Sequence, residues 1–292
     1  MQLVEGVDKV RPSMNILKKA RMYQEALFPD RRHQVDNALR GAQFIMLRML
    51  KYFDRLCADN DLSYSLEAGT LLGAIREGGF IPWDDDMDIF MPRPDYEKFI
   101  EIADSLLPPS IRLFSAQNDK AHYWPWIKLR DTAGSELDEG MPCYKGSNGV
   151  FIDIYPIDVY LPIFLKLDWP VRKCQGLARA NAKWGVPVLN SLCGIFSQAI
   201  CQFKQKLLRN VSGKRFGATE ARYFNPYCRY LRFKEITFKY EDIFPLLRTK
   251  FEDGEFLAFN NSRRYLESMY GASYMTPPPP QHRAVHARNI KI

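Results

Sequence analysis

The chain has 292 residues and a mass of 34.0 kDa, with 46% hydrophobic, 13% aromatic and 26% charged residues. That length and balance exclude a disordered or low-complexity chain and leave room for one large domain or two modest ones around a buried core. The formal charge of +7 is regional: residues 161–240 hold fifteen Lys/Arg against three Asp/Glu, a balance of +12, and the rest of the chain carries −5.

Residues 1–34 read as an N-terminal extension, and with Glu5 and Asp8 near its start it lacks the apolar region of a secretory signal. From Val35 to Cys57 apolar residues recur at three-and-four spacing, which predicts an amphipathic helix. A short strand is expected over Leu62–Glu67, a short helix over Thr70–Arg76 closed by Gly78-Gly79, and a second strand over Met87–Met91. Pro94 and Asp95 start a helix to about Leu107, and further strands are expected at Ile111–Ser115, Trp124–Arg130 and Gly149–Tyr155. The interleaving predicts an α/β fold of the α+β type, with its catalytic core in residues 35–160. A basic, helical insertion follows at 161–240, and 241–292 form a closing segment with a helix near Leu257–Met269 before the prolines at 277–280.

The six cysteines form no C-x-x-C pair and read as reduced, buried thiols. Trp184–Phe203 is uncharged for twenty residues, but Pro187, Asn190, two glycines, two serines and two glutamines interrupt it. That excludes a membrane-spanning helix and leaves a core helix or one lying in a membrane interface. The basic block calls for an anionic partner, and since no nucleic-acid-binding module accompanies it, an anionic membrane surface is preferred and nucleic acid is not expected.

The most informative stretch is Ile81-Pro82-Trp83-Asp84-Asp85-Asp86-Met87-Asp88-Ile89. Four carboxylates in five residues repel one another, and in an apolar setting they need a counter-charge. Side chains alternate along a strand, so Asp86 and Asp88 face the same way and can share one Mg²⁺ (or Mn²⁺), with Asp84 joining if the loop bends back. An EF-hand is excluded because Ile89 stands where that loop needs glycine. Asp153, among β-branched and aromatic residues on an expected central strand, is a further metal ligand or base, whereas Asp158, beyond Pro156, suits a helix cap. Arg76, Lys128 and Arg130 are candidate phosphate contacts, with a carboxylate pair for Arg76 and a solvated strand edge for the other two as the plain alternatives. His282 and His286 have i, i+4 spacing, yet with no third ligand nearby in sequence a zinc site is not expected.

Taken together, Gly69-Thr70-Leu71-Leu72-Gly73, the Arg76–Phe80 turn, the Trp83–Asp88 acid run and Asp153-Ile154-Tyr155-Pro156-Ile157-Asp158 resemble the LicD family, with the fukutin-related proteins as distant kin. Phe251–Gly254, Tyr270-Gly271, Tyr274-Met275, Pro277-Pro278 and His286 are similar to its closing motifs. The resemblance implies a nucleotidyltransferase-like mixed sheet, with Gly69 and Thr70 in the loop before the acids, Asp86, Asp88 and Asp153 as catalytic carboxylates and Arg76 as a donor contact. It implies transfer of a phospho-alcohol, phosphocholine foremost, from a CDP-linked donor to a sugar hydroxyl of a cell-surface glycan or lipid-linked saccharide. The enzyme is then expected in the cytoplasm, with peripheral contact at the cytoplasmic membrane face. Transfer of the nucleotide itself and a DxD glycosyltransferase are the competing readings, the latter disfavoured by the Gly69-Thr70 loop before the acids.

Overall fold

The computed structural model describes residues 27–115, 117–119, 122, 124, 126–138, 148–160, 200, 203, 206–212, 214–217, 222–224, 237–283 and 285–292. The Trp184–Phe203 stretch lies outside them apart from positions 200 and 203, as do Lys183, Lys204 and most of the basic block. Among the described residues, no helix is long and apolar enough to cross a membrane.

The first long helix, α1 (Ala38–Asp59), starts where the Asn37 side chain accepts a hydrogen bond from the Arg40 N–H, satisfying one of the unpaired donors of the first turn. It buries Ile45, Met49, Leu50 and Phe53, and it packs against the sheet at β4 (Ile127–Asp131) and β6 (Phe151–Val159). The sheet runs β1 (Ser65–Leu66), β2 (Asp88–Pro92), β6, β4, β3 (Ile111–Phe114); β2 and β6 are parallel and the other neighbours in this row antiparallel. Helices α2 (Ala68–Arg76) and α3 (Arg93–Leu106) flank β2 in sequence, and β7 (Arg222–Phe224) and β8 (Phe238–Lys239) extend the sheet from the far end of β6. This mixed architecture is the α+β fold the pattern predicts.

Three differences have local causes. The first strand is shorter than expected because Ala68 takes φ +45 and turns the chain into α2. The strand β6 is longer, running through Pro156 to Val159: its pairing with β4 ends at Ile154 and its pairing with β7 begins at Asp158, so the missing proline N–H falls between the two. Asp158 therefore caps no helix; it is fully buried and accepts both prongs of Arg93, Nε at 2.9 Å and Nη2 at 2.5 Å. Near the C-terminus, residues expected to open a helix instead form the strand β10 (Gly254–Ala258), paired with β9 (Leu247–Phe251). The helix α5 (Ser262–Tyr270) begins only after Asn261 supplies a cap, and the chain passes between β8 and β9 through the single turn α4 (Tyr240–Ile243). The last strand, β11 (Asn289–Lys291), pairs with β5 (Glu136–Asp138).

Candidate active site

The acid run is an irregular segment pinned from three sides. Gln43, buried on α1, donates from Nε2 to the carbonyls of Ile81 at 3.3 Å and Asp84 at 2.9 Å. Glu252, at the tip of the β9–β10 hairpin, accepts from the Phe80 N–H at 3.1 Å, is clasped by Arg40, and donates its own N–H to the Gly78 carbonyl. The third support is α2: the Thr70 hydroxyl accepts the Asp88 N–H at 2.9 Å, and Gly69 leaves the space that Asp84 uses. A Cβ at Gly69 would lie 2.9 Å from Asp84 Oδ2, so only glycine lets the carboxylate rest there.

The four consecutive-looking acids then divide their roles. Asp85 is buried and turns toward the C-terminal segment, where its carboxylate accepts the main-chain N–H groups of His286, at 2.9 Å, and Ala287. Burial pushes the Asp85 carboxyl up, but those bonds and the His286 side chain outweigh it and hold it below the usual carboxylate range. Asp84, Asp86 and Asp88 behave in the opposite way. Burial first, then Asp86 beside it, pushes the Asp84 carboxyl up to about 8. Burial, against the pull of His286, also raises Asp86, and burial reinforced by Asp86, Glu67 and Asp153 drives Asp88 well above its ordinary value. Crowding that disfavours the charged forms of three carboxylates is what a hard divalent cation relieves, and among the described residues Asp85, Asp86 and His286 each offer a donor atom within 4.8 Å of the others, a donor chemistry that fits a divalent metal ion.

Asp153 stands in direct register with Asp88 on the parallel neighbour strand, and with Lys128 on the other side. Its oxygens accept from Lys128 Nζ at 3.0 and 3.1 Å and from Trp126 Nε1 at 2.8 Å. Lys128 is 1% exposed, with its ammonium 3.3 Å from the centre of the Phe151 ring; Arg130 is equally buried and donates to the Gly149 carbonyl at 3.0 Å. Neither is on a solvated edge, because β4 lies between β3 and β6. Arg76 is engaged away from the acids, by Glu77 at 2.7 Å and the Tyr274 carbonyl at 3.1 Å.

Of the predicted residues, Asp84, Asp86, Asp88 and Asp153 are therefore gathered at one end of β2 and β6 with Gly69 and Thr70, Lys128 stands behind Asp153, and Arg76 braces the closing segment. Sequence reasoning missed two groups. Glu67, buried and next to Asp88, accepts a hydrogen bond from Tyr265 at 2.8 Å; an acid just before Gly69 was a weak signal for it. His286, set aside as lacking partners, lies with its Nδ1 3.3 Å from Asp85 Oδ1 and 3.2 Å from Asp86 Oδ2. Those carboxylates, the Asp85 hydrogen bond foremost, raise its pKa to about 9.

Residues 61–175 match the family described as LicD/FKTN/FKRP, nucleotidyltransferase domain. The chain is 27% identical over 263 residues to the lipopolysaccharide cholinephosphotransferase LicD of Haemophilus influenzae, covering 85% of this chain and 95% of that protein. It is also 40% identical over 57 residues to an uncharacterized protein of Rickettsia typhi, 20% of this chain and 18% of that one.

Proposed function

Residues 61–175 belong to the LicD family, and from this premise we propose that the chain is a Mg²⁺- or Mn²⁺-dependent transferase that moves phosphocholine from CDP-choline to a sugar hydroxyl of lipopolysaccharide or a related cell-surface glycan. The observation that carries the reading is that the similarity to a lipopolysaccharide cholinephosphotransferase extends over 85% of this chain and 95% of that protein's length.

Asp86 and Asp88 would hold the cation, with Asp84 and Asp153 beside them. When bound, that cation supplies the positive charge that offsets the donor pyrophosphate and the departing CMP. In the reaction, the acceptor oxygen bonds to the phosphorus that carries choline, the bond from that phosphorus to the CMP oxygen breaks, and CMP leaves with the electron pair. The acceptor proton would pass to Asp86 or Asp153. Lys128 and Trp126 fix the orientation of Asp153 and so serve the donor indirectly. Arg76, held by Glu77 and the Tyr274 carbonyl, braces the closing segment instead of contacting the donor. The acceptor would be presented at a membrane, and the +12 of residues 161–240 would draw the enzyme to an anionic cytoplasmic face.

The test is incubation with CDP-choline, Mg²⁺ and a glycan acceptor, with CDP-glycerol and CDP-ribitol as competitors. Release of CMP with choline appearing on the glycan is expected. Pyrophosphate released from a nucleoside triphosphate would establish nucleotide transfer instead, and turnover of a sugar nucleotide would establish a glycosyltransferase.

A further inference from the structure

The imidazole of His286 occupies a place where a cation belongs. Its Nδ1 lies 3.2 Å from Asp86 Oδ2 and 3.3 Å from Asp85 Oδ1, and one donor atom from each of these three residues falls within 4.8 Å of the others. Two donors bound at right angles, each about 2.1 Å from one metal ion, are about 3 Å apart. The Nδ1 to Asp86 separation is that of two neighbouring ligands before a metal draws them in.

The ring is delivered there by the main chain. Asp85 accepts the N–H groups of His286 and Ala287, and three residues further on β11 is clamped to β5, with the Arg288 N–H on the Asp138 carbonyl at 2.8 Å. The terminal Ile292 side chain lies against Gly41 of α1, where a Cβ would meet it. A segment anchored at His286 itself and at the residues that follow it keeps the side chain at Asp86 although the side chain itself is 63% exposed. Asp85, occupied by two main-chain donors, is the positioning group. Asp86 is also close enough to raise the Asp88 carboxyl electrostatically, so it belongs both to the histidine side and to the carboxylate side of the site.

We propose that His286 Nδ1 is a ligand of the active-site metal, which makes the centre a mixed imidazole and carboxylate site in which Asp86 is the shared ligand and Asp85 holds the histidine in place. The proposal rests on the metal dependence in the reading above and adds a ligand to it. A nitrogen donor shifts preference from Mg²⁺ toward first-row transition metals, because imidazole suits them better than it suits Mg²⁺.

The experiment uses the full chain loaded with Mn²⁺, read by pulsed electron paramagnetic resonance for nitrogen coupling and by calorimetry for affinity. Wild type should show coupling to a histidine nitrogen. His286→Ala and His286→Gln should abolish that coupling and weaken Mn²⁺ binding at least about tenfold, with a smaller change for Mg²⁺; His33, His122 and His282 remain as internal controls. Asp85→Asn should weaken Mn²⁺ binding by the same route while Asp86 is intact. Mn²⁺ bound without nitrogen coupling, or bound as tightly or more tightly by His286→Ala, would overturn the assignment and show that the imidazole merely stands in for the ion. That result leaves the transferase reading intact, whereas nitrogen coupling without CMP release supports the ligand and sinks the transferase.

Discussion

Asp85 and His286 stand 201 positions apart in the chain, yet the carboxylate of one accepts the main-chain N–H of the other at 2.9 Å. The acid run is thus tied to the C-terminal segment, and the four neighbouring aspartates do not form one uniform cluster. One is a structural latch and three are left facing each other.

Asp86→Asn and Asp88→Asn should each lower turnover by roughly two orders of magnitude or more, since under the proposed metal site each removes a ligand from the charge that would stabilise the departing group. CMP release from CDP-choline measures the loss, and thermal melting checks that the fold is kept. Near-normal activity in either variant would remove these residues from the centre.

Asp153→Ala should destabilise the protein in metal-free buffer. From sequence alone, a self-repelling cluster suggests that its removal costs no stability, but the ion pair with Lys128 reverses the sign. Losing Asp153 removes the carboxylate paired with an ammonium that is 1% exposed, and breaking a buried pair costs about 3–5 kcal/mol. Lys128→Met should remove the cation from a carboxylate that keeps only neutral donors such as Trp126 Nε1 among those described, and the double variant should be less destabilised than the sum of the two. Additive melting shifts would mean that the pair is not coupled.

Gly69→Ala should reduce turnover about tenfold or more with little change in melting temperature. The new Cβ would sit 2.9 Å from Asp84 Oδ2, and the flexible carboxylate moves more cheaply than the backbone, so the acid loop is displaced while the core is untouched. Wild-type turnover in this variant would show that the placement of Asp84 is not needed.

Glu252 gives a pH dependence of known sign. Burial raises its carboxyl, but the hydrogen bond from Arg40 and the Phe80 N–H bring it below the ordinary 4.5. A depressed carboxyl contributes stability that is present above 4.5 and is lost as pH falls through the folded-state value. Glu252→Gln should therefore be less stable than wild type at pH 7 by about 1 kcal/mol, and the difference should shrink as pH falls below 4.5. Denaturant melts across that range would detect it; a constant difference would assign the effect to shape and not to charge.

The sequence by itself determined the order of helices and strands from α1 to β4, because apolar spacing and turn residues act within a few positions. It also determined the density of charge in Asp84–Asp88, because four acids among Phe80, Ile81, Trp83 and Ile89 carry their electrostatic cost wherever they fold. Even the shared face of Asp88 and Asp153 follows from alternation once their strands are placed side by side. Pairing decided the rest. Whether Leu257 belongs to a helix or a strand depended on the hairpin partner at Arg248. Whether Asp158 capped a helix or bound Arg93 depended on how far β6 continued. Which acid of the run became the latch depended on a main chain returning from position 286. Contacts across some two hundred residues leave no periodic trace in the sequence, since their cost and gain are set by the closure of the whole fold, and only the tertiary structure brought His286 to Asp86.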